Sequence, residues 1–148
     1  TGRFLAGAAE VLGLTLDEIG EISMTGTKPI RLTSVCTVFV ESDILSHLAQ
    51  KKKVEDILAG VHDAIATRTI GLVRRVGMDP EMTFTGGVAR NIGMIRSLES
   101  KLGQSLNISP DAHFCGALGA ALFAMDHVLA DYKPDARVDS EPAVWVDE

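Results

Sequence analysis

The stretch Met82–Asn91, M-T-F-T-G-G-V-A-R-N, decides how the rest of the chain is read. A short apolar, β-prone run holding Met82 and Phe84 meets the adjacent glycines Gly86 and Gly87, and an amphipathic segment follows at once. That order predicts a strand, a tight turn and a helix. Paired glycines permit positive φ and let a flat ligand approach the backbone with no Cβ in the way. The helix start beyond them would offer free N–H groups to a phosphate or ribose oxygen. An ordinary strand-to-helix turn explains the pair equally well, and the stretch is neither G-x-G-x-x-G nor a Walker A loop.

Downstream, Ile95, Leu98 and Leu102 mark the inward face of a helix stopped by Gly103. Ser105–Ile108 reads as a second short strand, and Ser109-Pro110-Asp111 opens a last helix in which Gly116–Ala121 is small enough for close packing. Strand, helix, strand, helix is a right-handed crossover unit, so the two strands should be parallel neighbours. Two short strands do not make an α/β sheet, and the remainder is expected upstream of Thr1.

Upstream of the glycines, Ile57, Leu58, Val61, Ala64, Ile65, Leu72, Val73 and Val76 form one stripe along a long helix, Val54–Val76. Before it, Glu41-Ser42-Asp43 should cap a helix over Ile44–Gln50, and Lys51-Lys52-Lys53 is a solvated end that complements its dipole. Ile30–Val40 is rich in β-branched residues around Cys36. Phe4, Leu5, Ala8, Val11 and Leu12 recur at helical spacing up to Gly13. Thr15 and Glu18 then form a capping box ahead of Leu16, Ile19 and Ile22.

The 148 residues fit one domain with a real core, and 46% hydrophobic against 23% charged residues excludes a disordered chain. A net charge of −6 argues against sequence-independent nucleic-acid binding. Most of that charge lies in residues 131–148, where six acids face only Lys133 and Arg137. The division is therefore a body over 1–130 and an acidic tail over 131–148. No apolar run approaches the ~18 residues of a membrane span, so none is expected. Cys36 and Cys115 are too few for a disulfide framework, which suits a reducing cytoplasm. Thr1 enters a helix with no lead-in, as a fragment of a longer protein would. Apolar faces left without partners should then be exposed, or covered by a second copy through the first helix or the sheet edge.

F-T-G-G-V-A-R-N, a helix, K-L-G, a strand and the G-A-L-G-A-A-L helix together resemble the C-terminal part of the BadF/BadG/BcrA/BcrD ATPase family. T-G-R-F-L at the start and S-V-C-T-V-F-V-E-S-D in the middle fit the same pattern, over about Thr1–Ala130. The resemblance implies an α/β fold: the C-terminal part of an actin-like (ribonuclease H-like) ATPase lobe, helix-rich, with a short parallel sheet that is incomplete here. It implies that Gly86 and Gly87 form the adenosine-binding turn, that Val88, Arg90 and Asn91 open the helix behind it, and that ATP with magnesium is the cofactor. It places the phosphate-binding loops and magnesium-holding acids earlier than Thr1, so no catalytic residue is assigned in this chain.

The resemblance also implies a [4Fe–4S] cluster bridging two ATPase-type subunits in a homo- or heterodimer, with Cys36 as one ligand. The other ligand of each subunit lies in a C-A-A-G-T-G-R-F stretch that this chain, opening at T-G-R-F, lacks. By its residues alone, a single cysteine in a β-branched run is a small buried hydrophobe. Cys115, in H-F-C-G-A-L, matches no ligand of the family and reads as packing. His113 beside it adds too few donors for a metal site.

The function so implied is coupling of ATP hydrolysis to low-potential electron transfer toward catalytic acyl-CoA reductase or dehydratase subunits. Benzoyl-CoA reductase in anaerobic aromatic degradation is the expected system, with this fragment inactive alone. The rivals are a sugar or acyl kinase of the same superfamily without a redox role, and a helical interaction module docking a partner through its Gly-Ala helix. Neither nucleic acid nor membrane is an expected partner.

Overall fold

The computed structural model describes residues 1–32 and 37–131. Cys36 and the acidic tail, apart from the Asp131 backbone, lie outside them. By packing the chain divides into Thr1–Gly116 and Ala117–Glu148, and the described part of the second unit is helical.

Six α-helices carry the fold among the described residues: α1 (Gly2–Leu12), α2 (Leu16–Ser23), α3 (Thr37–Ala49), α4 (Val54–Val76), α5 (Ile92–Leu102) and α6 (Cys115–Asp131). The terminators expected from sequence hold. Gly13 ends α1 and Gly103 ends α5, both in the left-handed region at φ 66° and 71°. Thr15 closes the capping box: its N–H donates to Glu18 Oε2 at 2.7 Å, and Glu18 N–H donates to Thr15 Oγ1 at 3.3 Å. Those Thr15 donors hold the Glu18 carboxyl below the usual carboxylate range.

α4 is the spine of the first unit. Ile57, Leu58, Val61 and Ala66 are fully buried, and α5, α2 and α1 pack on that face. The inward stripe ends sooner than the sequence pattern implies, because Leu72 and Val76 are exposed. With 23 residues against 11 each in α1 and α5, α4 is about twice the length of these neighbours.

Two expectations are corrected. α3 begins at Thr37 rather than Ile44, so β-branched residues expected ahead of the helix lie inside it. Val40 and Ile44, one turn apart, are fully buried beside α1, and that packing outweighs the weak helix preference of Val and Thr. The short parallel sheet is reduced to one parallel bridge, Thr83 to Asn107, and no strand is present among the described residues. Phe84 N–H donates to the Asn107 carbonyl at 3.0 Å and Asn107 N–H to the Met82 carbonyl at 2.8 Å. The pairing is parallel, as expected, but so short a pair without further strands does not extend.

On the first helix, Phe4, Leu5, Ala8 and Ala9 face the core. The segment Ala112–Ala130, with 19 residues and a mean hydropathy of 1.3, is long and apolar enough to cross a membrane, contrary to the reading of the sequence. Length and composition alone make that match, and 6% of the segment is buried.

Candidate functional site

The parallel bridge sets the site. Both paired segments run in one direction, and each ends in a single 3₁₀ turn, Gly87–Arg90 after the first and Ala112–Phe114 after the second. The two turns lie side by side, locked by the Gly86 N–H donating to the Ala112 carbonyl at 2.8 Å. Ligands of parallel α/β units bind beyond the carboxyl ends of neighbouring strands, which is where these turns sit.

The two glycines have different jobs. Gly86 has φ 92° and ψ 174°, a conformation essentially reserved for glycine. Gly87 has ordinary backbone, and a Cβ added there would meet nothing within 4 Å. The backbone therefore requires the first glycine, whereas the second leaves open space. A cavity of about 300 Å³ adjoins that space, lined among others by Asp17, Gly87, Val88, Arg90, Asn91 and His113. A smaller one of about 180 Å³ lies against Phe84 and Thr85 and also touches Gly86, Gly87 and Val88. A wider cavity, about 610 Å³, runs between residues 29–32 and α4 and touches none of the glycine turn.

The structure brings all five candidate nucleotide residues, Gly86, Gly87, Val88, Arg90 and Asn91, into one turn, but the helix does not open directly on the glycines. The 3₁₀ turn intervenes, and α5 starts at Ile92. Asn91 caps it, Oδ1 accepting the Met94 N–H at 2.9 Å. Asn91 Nδ2 donates to the Leu16 carbonyl at 3.1 Å, and Oδ1 also faces His62 Nε2 at 3.0 Å. Its side chain is thus engaged inside the protein, whereas Arg90 is exposed.

Sequence reasoning missed Asp17 and His113 as neighbours of Gly87. Asp17 is distant in sequence and arrives on α2, and no motif marks it. His113 reads in sequence only as an insufficient metal ligand. Its ring lies 3.9 Å from that of Phe114, and its Nδ1 is buried with no hydrogen-bond partner. Among the described residues no group of three or more His, Cys, Asp or Glu side chains could hold a metal ion. Cys115 is partly exposed, with Sγ 3.9 Å from the Asp111 carbonyl.

Residues 1–124 match the profile of the BadF/BadG/BcrA/BcrD ATPase family. The chain belongs to that family. It is 44% identical over 124 residues to the (R)-2-hydroxyglutaryl-CoA dehydratase activating ATPase of Acidaminococcus fermentans, covering 84% of this chain and 48% of that protein. It is 33% identical to a benzoyl-CoA reductase subunit of Thauera aromatica, over 83% of this chain and 46% of that one. The solved activator of the 2-hydroxyisocaproyl-CoA dehydratase from Clostridium difficile, with bound ADPNP, superposes at a TM-score of 0.81 with 37% identity, covering 95% of this chain and 52% of that chain. The chain therefore spans about half the length of the relatives it matches. Likeness to these activators places the helix-rich unit in the actin-like ATPase architecture.

One pH effect follows from the packing behind the turn. Burial pushes the His62 imidazole below its ordinary value of 6.5, against the Leu58 and Asn91 hydrogen bonds that hold it up. The unfolded chain then binds a proton that the folded chain resists, so stability is full above about pH 6.5 and declines as pH falls toward the lower folded value. Thermal unfolding of the full-length protein should show a falling midpoint between about pH 7.5 and 5.5, and His62→Gln should flatten that fall. Equal slopes in both proteins would refute the assignment.

Proposed function

We propose that the chain is the C-terminal part of an ATP-dependent activator that binds adenine nucleotide at the Gly86–Gly87 turn and drives electron transfer to a 2-hydroxyacyl-CoA dehydratase. The observation that carries this is the open space at Gly87, at the carboxyl ends of paired parallel segments, in a member of an ATPase family. Gly86 makes the turn, Gly87 and Val88 give the adenosine a floor, Arg90 offers a cation at the rim, and Asn91 holds the turn from behind. Phosphate and magnesium contacts are assigned to the rest of the full-length protein. ATP hydrolysis biases a two-state element, and coupling to it makes an uphill electron transfer one-directional.

The proposed partners are a second ATPase-type subunit and the catalytic dehydratase component, in the cytoplasm. Cys36 is the proposed thiolate of this chain. An iron–sulfur cluster takes four thiolates and Cys36 from two copies of this chain offers two, so these residues alone do not complete a cluster site. A benzoyl-CoA reductase component is the second reading, supported by the Thauera aromatica relative. The higher identity to the Acidaminococcus fermentans activator favours the dehydratase.

The test is the full-length protein purified without oxygen. It is expected to hydrolyse ATP, to show iron–sulfur absorbance, and to support dehydration of a 2-hydroxyacyl-CoA by its catalytic component. Reduction of an aromatic acyl-CoA instead would select the reductase reading. Nucleotide binding without the chromophore would select a kinase, and no nucleotide binding would leave only an interaction module.

A further inference from the structure

The buried polar side chains among the described residues are Ser23, His62 and Asn91, and they form one cluster where α2, α4 and α5 meet. Two glycines make room for it. A Cβ on Gly20 would sit 3.0 Å from Asn91 Nδ2; one on Gly93 would collide with Ser23 Oγ and lie 2.9 Å from His62 Nε2. Ser23 Oγ donates to the Gly20 carbonyl at 2.7 Å, which completes its own bonding within α2.

The orientation of Asn91 is fixed by two backbone groups. Its Oδ1 accepts the Met94 N–H and its Nδ2 donates to the Leu16 carbonyl, so a flipped amide would set donor against donor and oxygen against oxygen. His62 Nε2 therefore faces an acceptor. His62 Nδ1 faces another, the Leu58 carbonyl one turn back, at 2.8 Å. A neutral imidazole has one N–H and satisfies only one of them. The Leu58 contact is local to α4, whereas the Asn91 contact ties α4 to α2 and to the start of α5, and both ends of the Asn91 amide are already committed to backbone groups.

We propose that His62 is a positioning residue for the nucleotide turn, its Nε2–H donating to Asn91 Oδ1 and so holding the Gly86–Asn91 turn in place. The inference rests on the nucleotide reading of that turn. Asn91 joins the two: its N–H donates to the Val88 carbonyl at 3.0 Å while its side chain is gripped from α4 and α2. A lone pair at Nε2 would push Asn91 away and let the turn shift. An unpaired buried polar contact of this kind is costly.

The test uses the full-length protein, ATP as the probe, and long-range ¹H–¹⁵N spectra of the histidine rings. A proton on His62 Nε2 is expected in the wild type. ATP affinity should fall at least about tenfold in His62→Phe and recover to within about threefold of wild type in His62→Gln, whose amide N–H can point the same way. A bare Nε2, or a folded His62→Phe protein with wild-type ATP affinity, would overturn the proposal. Should His62→Phe fail to fold, the ring spectra and the His62→Gln affinity still decide. A wild type that carries the Nε2 proton but binds no ATP would instead sink the nucleotide reading and leave the His62–Asn91 contact standing.

Discussion

In the full-length protein, Gly87→Val is expected to weaken ATP binding at least tenfold, about 1.4 kcal/mol, while leaving thermal stability almost unchanged. The separation follows from the space around the residue. Among the described residues, nothing beyond its chain neighbours lies within 4 Å of a Cβ at this position, and the backbone there is ordinary, so this part of the fold tolerates a side chain. The ligand would not, because the valine methyls would stand where the adenosine is proposed to lie. Gly86→Val is the useful contrast: at φ 92° the strain is in the backbone, so it should lower stability with or without nucleotide. Isothermal titration and thermal unfolding of both variants separate the two cases. Unchanged affinity in Gly87→Val would remove the turn from the binding site.

Gly60→Ala should be the most damaging single methyl in the described core, costing about 3 kcal/mol. A Cβ at Gly60 would collide with the Ile30 carbonyl oxygen and come within 2.9 Å of the Ile30 carbonyl carbon. That backbone cannot easily retreat. Ile30 N–H donates to the Asp56 carbonyl at 3.0 Å, and the Thr27 and Lys28 N–H groups both donate to Asp56 Oδ1 at 2.9 Å. Residues 27–30 are therefore strapped across the first turns of α4, and lifting them also exposes the buried Leu32 just ahead of the Cys36 segment. Gly71→Ala, on the same helix with open space around its Cβ, should stabilise by roughly 0.5–1 kcal/mol through helix propensity. Urea unfolding should thus move the two midpoints in opposite directions. Equal midpoints for the two variants would mean that the strap yields freely.

The features legible in the chain alone were local. The α1 and α5 terminators at Gly13 and Gly103, the Thr15–Glu18 capping box and the bounds of α4 could be read because each depends on residues a few positions apart. The glycine pair, too, was legible as a turn, and the direction of the Thr83–Asn107 pairing followed from the handedness of crossover units. Packing between distant segments settled the rest. Thr37 and Val40 are helical because Val40 and Ile44 find a buried place beside α1, a contact invisible to a local window. The paired segments stop at one bridge because no further strand meets them among the described residues. Asn91 read as a polar residue at a helix start, yet its side chain is held by Leu16 and His62, groups distant along the chain. Nothing local marks Gly60 and Gly93, which are set by the backbone of Ile30 and by the side chains of Ser23 and His62 packed against them. Close approach between helices is a property of pairs of surfaces, and a single sequence lists only one surface at a time.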